Sequence, residues 1–100
     1  MNSCTIGGTI LEKPESRYTT DGEWKVANFF IEFSYGAGDN RKTGRLKAVA
    51  WGLNAEQAEK LEPGDAVILE GRLSMNAIER PEGFKEKRAE LTANRIFTSN

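Results

Sequence analysis

The hundred residues predict an all-β fold: a small five-stranded barrel with one short helix between its third and fourth strands. Three observations carry that expectation. The dominant hydrophobic period is two, which sends alternate side chains to opposite faces of a strand. A single segment, LNAEQAEKLEPGD, changes to a helical period. Glycines stand inside the long strand-like runs, at Gly7-Gly8 and Gly71, where a strand that closes a barrel must bend or bulge.

The first strand is SCTIGGTILEK, with Cys4, Ile6 and Ile10 on one register and Pro14 as its end. Asp21-Gly22 makes a turn into the second strand, Trp24 to Ser34. A Gly-rich polar connection, YGAGDNRKTGR, leads to the third strand, RLKAVAW, which stops at Gly52. In the helical segment Leu53, Ala58 and Leu61 fit one face. Asn54 and Gln57 have the spacing of a capping box, and Pro63-Gly64 is the stop. The fourth strand runs from Ala66 to about Ile78, and ERPEGFK forms a hairpin tip. The last strand, KRAELTANRIF, places Ala89, Leu91, Ala93 and Phe97 together, with Arg95 as the odd member of that register. Three strands, a helix and two strands is the order of the Greek-key oligonucleotide/oligosaccharide-binding (OB) barrel. An open meander with a helix is the alternative. The expectation is one domain over residues 1–100.

Hydrophobic content of 38% and charged content of 29% exclude a disordered chain. No apolar run approaches the roughly 20 residues of a membrane helix, so no membrane partner is expected. The start, MNSCTIGG, lacks a basic region followed by an apolar stretch; the expectation is a cytoplasmic protein without a signal peptide. The lone Cys4 fits a reducing compartment. Histidine is absent, which removes the commonest general base and metal ligand. With no Gly-rich phosphate loop or activated nucleophile either, neither an enzyme nor a cofactor nor a small-molecule substrate is expected.

Four blocks, MNSCTIGG, RYTTDGEWKVANFFI, AVAWG and GDAVILEGRL, resemble in order and spacing the bacterial single-stranded DNA-binding protein family. The likeness runs from Met1 to about Phe97. It implies an OB fold, oligomers (tetramers or dimers) built partly through the first strand, and single-strand binding by base stacking on aromatics in a basic groove. Nucleoid association and roles in replication, repair and recombination follow from it. Of the family's stacking positions, Trp51 matches one near the end of the third strand. Arg45 stands where a second is expected, Tyr35 lies two residues from a third, and Ile78 replaces a fourth. Family members usually continue into a disordered tail with an acidic-hydrophobic tip. The sequence here stops at FTSN, so tail-dependent recruitment is not expected.

The third strand carries the chemistry. Leu46, Ala48 and Ala50 form a small apolar face suited to a barrel interior, while Arg45, Lys47, Val49 and Trp51 form the other. Cations pair with phosphates, and an indole stacks on a base of any identity. Over residues 36–47, Arg41, Lys42, Arg45 and Lys47 oppose only Asp39, a local balance of +3 against −1 for the whole chain. If the second and third strands pair, Phe30 points outward beside Trp51, in line with Trp24, Val26 and Asn28. Arg72, with Glu70 and Ser74 on the outward register of the fourth strand, extends the track. The hairpin at residues 79–90 balances four positive against four negative side chains and is expected to be a solvated, ion-paired ribbon. The candidate single-strand site is therefore Trp51, Lys47, Arg45, Phe30, Tyr35, Arg41, Lys42, Arg72 and Trp24, for single-stranded DNA or, as an alternative, RNA. The competing expectation is an OB-fold relative with a degraded groove. It would serve protein assembly or accessory replication work, with Phe30, Trp51, Val26 and Val49 as an apolar interface.

Overall fold

The structure, a computed structural model, describes residues 1–98. Its strands are β1 (Cys4–Ile10), β2 (Glu15–Tyr18), β3 (Lys25–Tyr35), β4 (Lys42–Trp51), β5 (Ala66–Glu79) and β6 (Lys85–Thr98), with helix α1 (Leu53–Ala58) between β4 and β5. A 3₁₀ turn, Gly38–Asn40, joins β3 to β4. The sheet order is β1-β5-β6-β4-β3-β2, and a β1–β3 pairing closes β1, β5, β6, β4 and β3 into a ring. All neighbours are antiparallel except β4 and β6, which run parallel.

The ring has the five strands expected, and among the described residues a sixth, β2, lies outside it. The expected first strand ends early, at Ile10, and the chain resumes beyond Pro14 on the same edge of β3. Thr9 and Ile10 pair with Glu32 and Ile31, and Glu15 to Tyr18 then pair with Asn28 to Lys25. All four β2 residues are exposed, so no apolar alternation marks them in the sequence. Gly8 sits where β1 crosses from β5 to β3; a Cβ there would come within 2.5 Å of the Glu32 carbonyl oxygen. That close approach, and not a bulge, is the reason for a glycine.

The core lies inside the ring. Ala27, Phe29 and Ile31 of β3 meet Ala50, Ala48 and Leu46 of β4 in register, as the alternation predicts, and all are buried. Ile10, Val67, Leu69, Leu91, Ala93 and Ile96 complete the cluster, and Ala55, Ala58 and Leu61 cap one end of it. The capping-box expectation fails. Gly52, at φ +61°, is the N-cap and offers no side chain, while Gln57 donates instead to the Ile96 carbonyl at 2.7 Å and ties the helix to β6. Leu53, expected on the buried helical face, is exposed.

The bulge expected at Gly71 is present, but its extra residue lies on the partner strand. Gly71 faces Ala93 and Glu70 faces Arg95, so Asn94 is unmatched. Gly71 permits this because a Cβ would sit 1.8 Å from the Thr92 carbonyl oxygen. The shift reverses the inside–outside register beyond it. Ile96 therefore enters the core, and Phe97, expected inside, faces out opposite Ile68. Arg95 is no longer anomalous, because it too lies on the outward face.

Candidate nucleic-acid interface

The outward face of the β3–β4 ladder is built by four register pairs: Val26 with Trp51, Asn28 with Val49, Phe30 with Lys47, and Glu32 with Arg45. The parallel neighbour β6 adds Glu90 beside Lys47 and Thr92 beside Val49. Beyond the ring, β5 and β6 continue as a long hairpin, so that Asn76 faces Arg88 and Ile78 faces Glu86. The hairpin leans beside β3 and β4 and forms the second wall of a groove of about 530 Å³. One wall carries Phe30, Arg45 and Lys47, and the other carries Asn76, Ile78, Arg88 and Glu90.

Phe30 is half-buried because Arg45 covers it. The guanidinium carbon lies 4.6 Å from the ring centroid, a cation–π contact worth about 0.5–1 kcal/mol at such a site. Arginine takes this place well, since its planar fork stacks on one side and leaves the other plane and its N–H donors outward. The groove is less purely basic than the local count suggests. Arg45 lies 3.8 Å from the Glu12 carboxylate, and Lys47 lies 3.5 Å from that of Glu90. Glu90 also accepts a hydrogen bond from the Asn76 amide.

The other expected site residues are spread over several places. Trp51 is 45% exposed at the far end of the Phe30 face, separated from Lys47 by Val49. Val26 and Val49 are buried, at 2% and 6% exposure, so the apolar patch expected around Trp51 is reduced to the indole itself. Trp24 lies against Gly52 and lines a second recess with Tyr18, Lys25, Leu53 and Glu56, away from the groove. Tyr35 shares the inward register of Phe33, with ring centroids 5.9 Å apart, and both rings lie over Gly44. Lys42, paired with Tyr35, is on that same side, opposite to Phe30, and Arg41 leads into β4 from the loop. Arg72 points outward opposite Thr92 but does not line the groove. Among the described residues no ion pair holds Arg41, Lys42 or Arg72.

Sequence reasoning missed the hairpin wall. Its charges do pair, with Glu86 between Arg80 and Arg88, and the Arg80 guanidinium beside Glu86 holds that carboxyl below its usual value. Yet Arg88 lines the groove as well. The parallel register of β6 on β4 is what brings Asn76, Arg88 and Glu90 to Lys47, and no local pattern encodes that register. At the opposite end, the Lys25 ammonium lies 2.6 Å from Glu59, which also accepts from Ser16 at 2.9 Å. The hydrogen bond raises Lys25 and lowers Glu59 from their ordinary values. This clamp joins α1, β2 and β3 without touching the groove. Among the described residues no group of three potential metal ligands occurs, and no helix is long and apolar enough to cross a membrane.

Known proteins resemble this chain along nearly its whole length. The model of the single-strand binding protein family matches residues 1–98. A thylakoid-associated single-stranded DNA-binding protein of Synechocystis sp. is 50% identical over 97 residues, which is 96% of this chain and 74% of that protein. The single-stranded DNA-binding protein of Paenarthrobacter aurescens is 36% identical over 103 residues, covering 95% of this chain but 60% of its own length. Among solved structures, the SSB domain of a Synechococcus sp. protein superposes with a TM-score of 0.75 at 37% identity, covering 96% of this chain and 93% of that one. With the family model matched over residues 1–98 and the same overall fold in a solved relative, the chain belongs to the single-strand binding protein family.

Proposed function

We propose that the chain binds single-stranded DNA without sequence preference, through the outward face of β3–β4 and the facing wall of the β5–β6 hairpin. The observation that carries this reading is the stacked Arg45–Phe30 pair beside Lys47 in a groove open to solvent, within a chain of this family. A base stacks on the outer plane of the Arg45–Phe30 pair, at about 1–3 kcal/mol per base. Lys47, Arg45 and Arg88 meet phosphates, and Trp51 takes a base farther along the same face. Arg41, Lys42 and Arg72 add charge at the margins. Tyr35 and Trp24 act only if the strand wraps beyond the groove. The setting is replication, repair and recombination in the cytoplasm or nucleoid, by one domain without catalysis or cofactor. The Synechocystis relative bears a name that joins single-strand binding to thylakoid association, and cell fractionation tests this chain for a membrane-proximal pool.

A homo-oligomer belongs to the same proposal. Ile68 and Phe97 form an exposed opposed pair on β5 and β6, on the part of the sheet that β1 joins. Contacts between subunits there would leave Phe30 and Trp51 to the nucleic acid; the competing assembly reading instead places those two rings between subunits. Light scattering gives the subunit number. The binding test is fluorescence anisotropy of labelled oligo(dT) at low and moderate salt, with duplex and oligo(U) competitors. Binding that weakens linearly with the logarithm of salt, with duplex a poor competitor, is the expected outcome. No binding at low salt with protein in excess contradicts the reading.

A further inference from the structure

We infer that Glu90 is a built-in counterion of the groove: a carboxylate that occupies Lys47 until a DNA phosphate displaces it, and so sets both the strength and the salt dependence of binding. The inference rests on the single-strand reading above.

The geometry separates the two partners by accessibility. The Glu90 side chain is 15% exposed and fixed in the β6 wall, whereas that of Lys47 is 40% exposed and reaches the groove. The Nζ–Oε2 distance of 3.5 Å makes the pair a loose one, which an arriving phosphate can replace. Glu90 is not stranded when Lys47 leaves, because Asn76 donates its side-chain amide to the same carboxylate oxygen. Asn76 and Glu90 both line the groove, on neighbouring strands. Glu12 holds Arg45 in a similar but far more exposed contact at 3.8 Å, so the device is repeated with a weaker partner.

A cation that neutralises a phosphate normally frees a condensed counterion, adding about −0.7 to the slope of log K against log salt for a single strand. Lys47 behaves differently if it must first leave Glu90. The carboxylate then draws a salt cation in part as the phosphate gives one up, which offsets a share of that release. Lys47 thus adds less to the slope in the native chain, and its full share in a chain without the carboxylate.

The experiment compares the full chain with Glu90→Gln in oligo(dT) titrations across a salt series. Glutamine keeps the shape and the acceptor for Asn76. Glu90→Gln is expected to bind about two- to fivefold more tightly at moderate salt, the range set by releasing a partly exposed ion pair. Its slope steepens by up to about 0.7, and its advantage therefore grows as salt falls. Glu12→Gln shifts both quantities the same way by less, and being on an exposed side chain it leaves folding intact if Glu90→Gln does not. Glu56→Gln removes the same charge from α1 without breaking an ion pair and should not steepen the slope. Adding Lys47→Met should erase the Glu90→Gln gain.

Binding by both chains with equal slopes, weaker binding by Glu90→Gln, or a gain that survives Lys47→Met overturns this inference alone. Absence of binding by every variant at low salt overturns the single-strand reading and this inference with it.

Discussion

On the inward face of the β3–β4 ladder, Ala27, Phe29 and Ile31 meet Ala50, Ala48 and Leu46, and each is buried by its neighbours. One residue over, on the outward face, Phe30 meets Lys47 and lies half-buried under a guanidinium. Two adjacent phenylalanines in one strand thus serve different ends. Phe29 lies in a close-packed interior, where volume and shape decide what is tolerated. Phe30 lies on a surface where a large ring has no packing reason to be, and its partners are charges that can exchange for phosphate. The difference teaches where to look for function in a small barrel: at the aromatic whose burial is incomplete and whose nearest partner is a cation.

The largest expected effect is on the inward side. Ile31→Ala should lower stability by about 2–5 kcal/mol, as a fully buried aliphatic does when it leaves a cavity. Urea unfolding measures this, and the surviving folded fraction should keep its affinity for oligo(dT). Phe30→Ala reverses the pattern. Stability should move by no more than about 1 kcal/mol, the worth of the cation–π contact, while affinity falls by about 1–3 kcal/mol for one lost stacking platform. If both substitutions chiefly destabilise, the two faces are not functionally distinct. Arg45→Lys sharpens the contrast further. It keeps the charge and loses the planar stack, so affinity should fall about two- to fivefold with an unchanged salt slope. An affinity equal to that of the native chain would show that Arg45 acts as a point charge only.

The smallest effect concerns the clamp at the helix end. Glu59 is held below its ordinary value of 4.5, so its contribution is present above the carboxylate range and is lost as pH falls through its lowered value. Lys25 is raised above 10.5, so its share persists up to that value and is lost at still higher pH. Thermal midpoints should therefore be flat between these limits and fall at acid pH. Glu59→Gln should flatten the acid limb without altering binding at neutral pH. An acid limb unchanged in the variant would assign the loss to other carboxylates, such as Glu86, which the Arg80 guanidinium also lowers.

Much of the fold was legible because period-two alternation and burial are local consequences of the same chain geometry. The inward sets on β3 and β4 follow from it, while the Asp21-Gly22 turn, the helix and the Gly71 irregularity follow from equally local turn, helical-period and glycine signals. β2 was not legible, since four exposed residues carry no pattern and form a strand only because the edge of β3 is available. The placement of Phe97 failed for a different reason. An unmatched Asn94 on β6 shifts the register, and a one-residue shift exchanges the faces of everything after it. In the candidate site, the outward set Phe30, Arg45, Lys47 and Trp51 was legible from strand pairing. The facing wall of Asn76, Arg88 and Glu90 was not, because a parallel β4–β6 contact joins residues more than forty positions apart. Charge counting also misled. It registers Lys47 as free, whereas the fold supplies it with Glu90.

The two tryptophans offer the most direct test of where DNA lies, because Trp51 stands on the Phe30 face and Trp24 in the separate recess against Gly52. Oligo(dT) is titrated into Trp24→Phe, which keeps the Trp51 indole, and into Trp51→Phe, which keeps that of Trp24, while the intrinsic fluorescence is followed. Strong quenching is expected in Trp24→Phe and little in Trp51→Phe. Strong quenching confined to Trp51→Phe would place the strand in the other recess and contradict the assignment of the β3–β4 face.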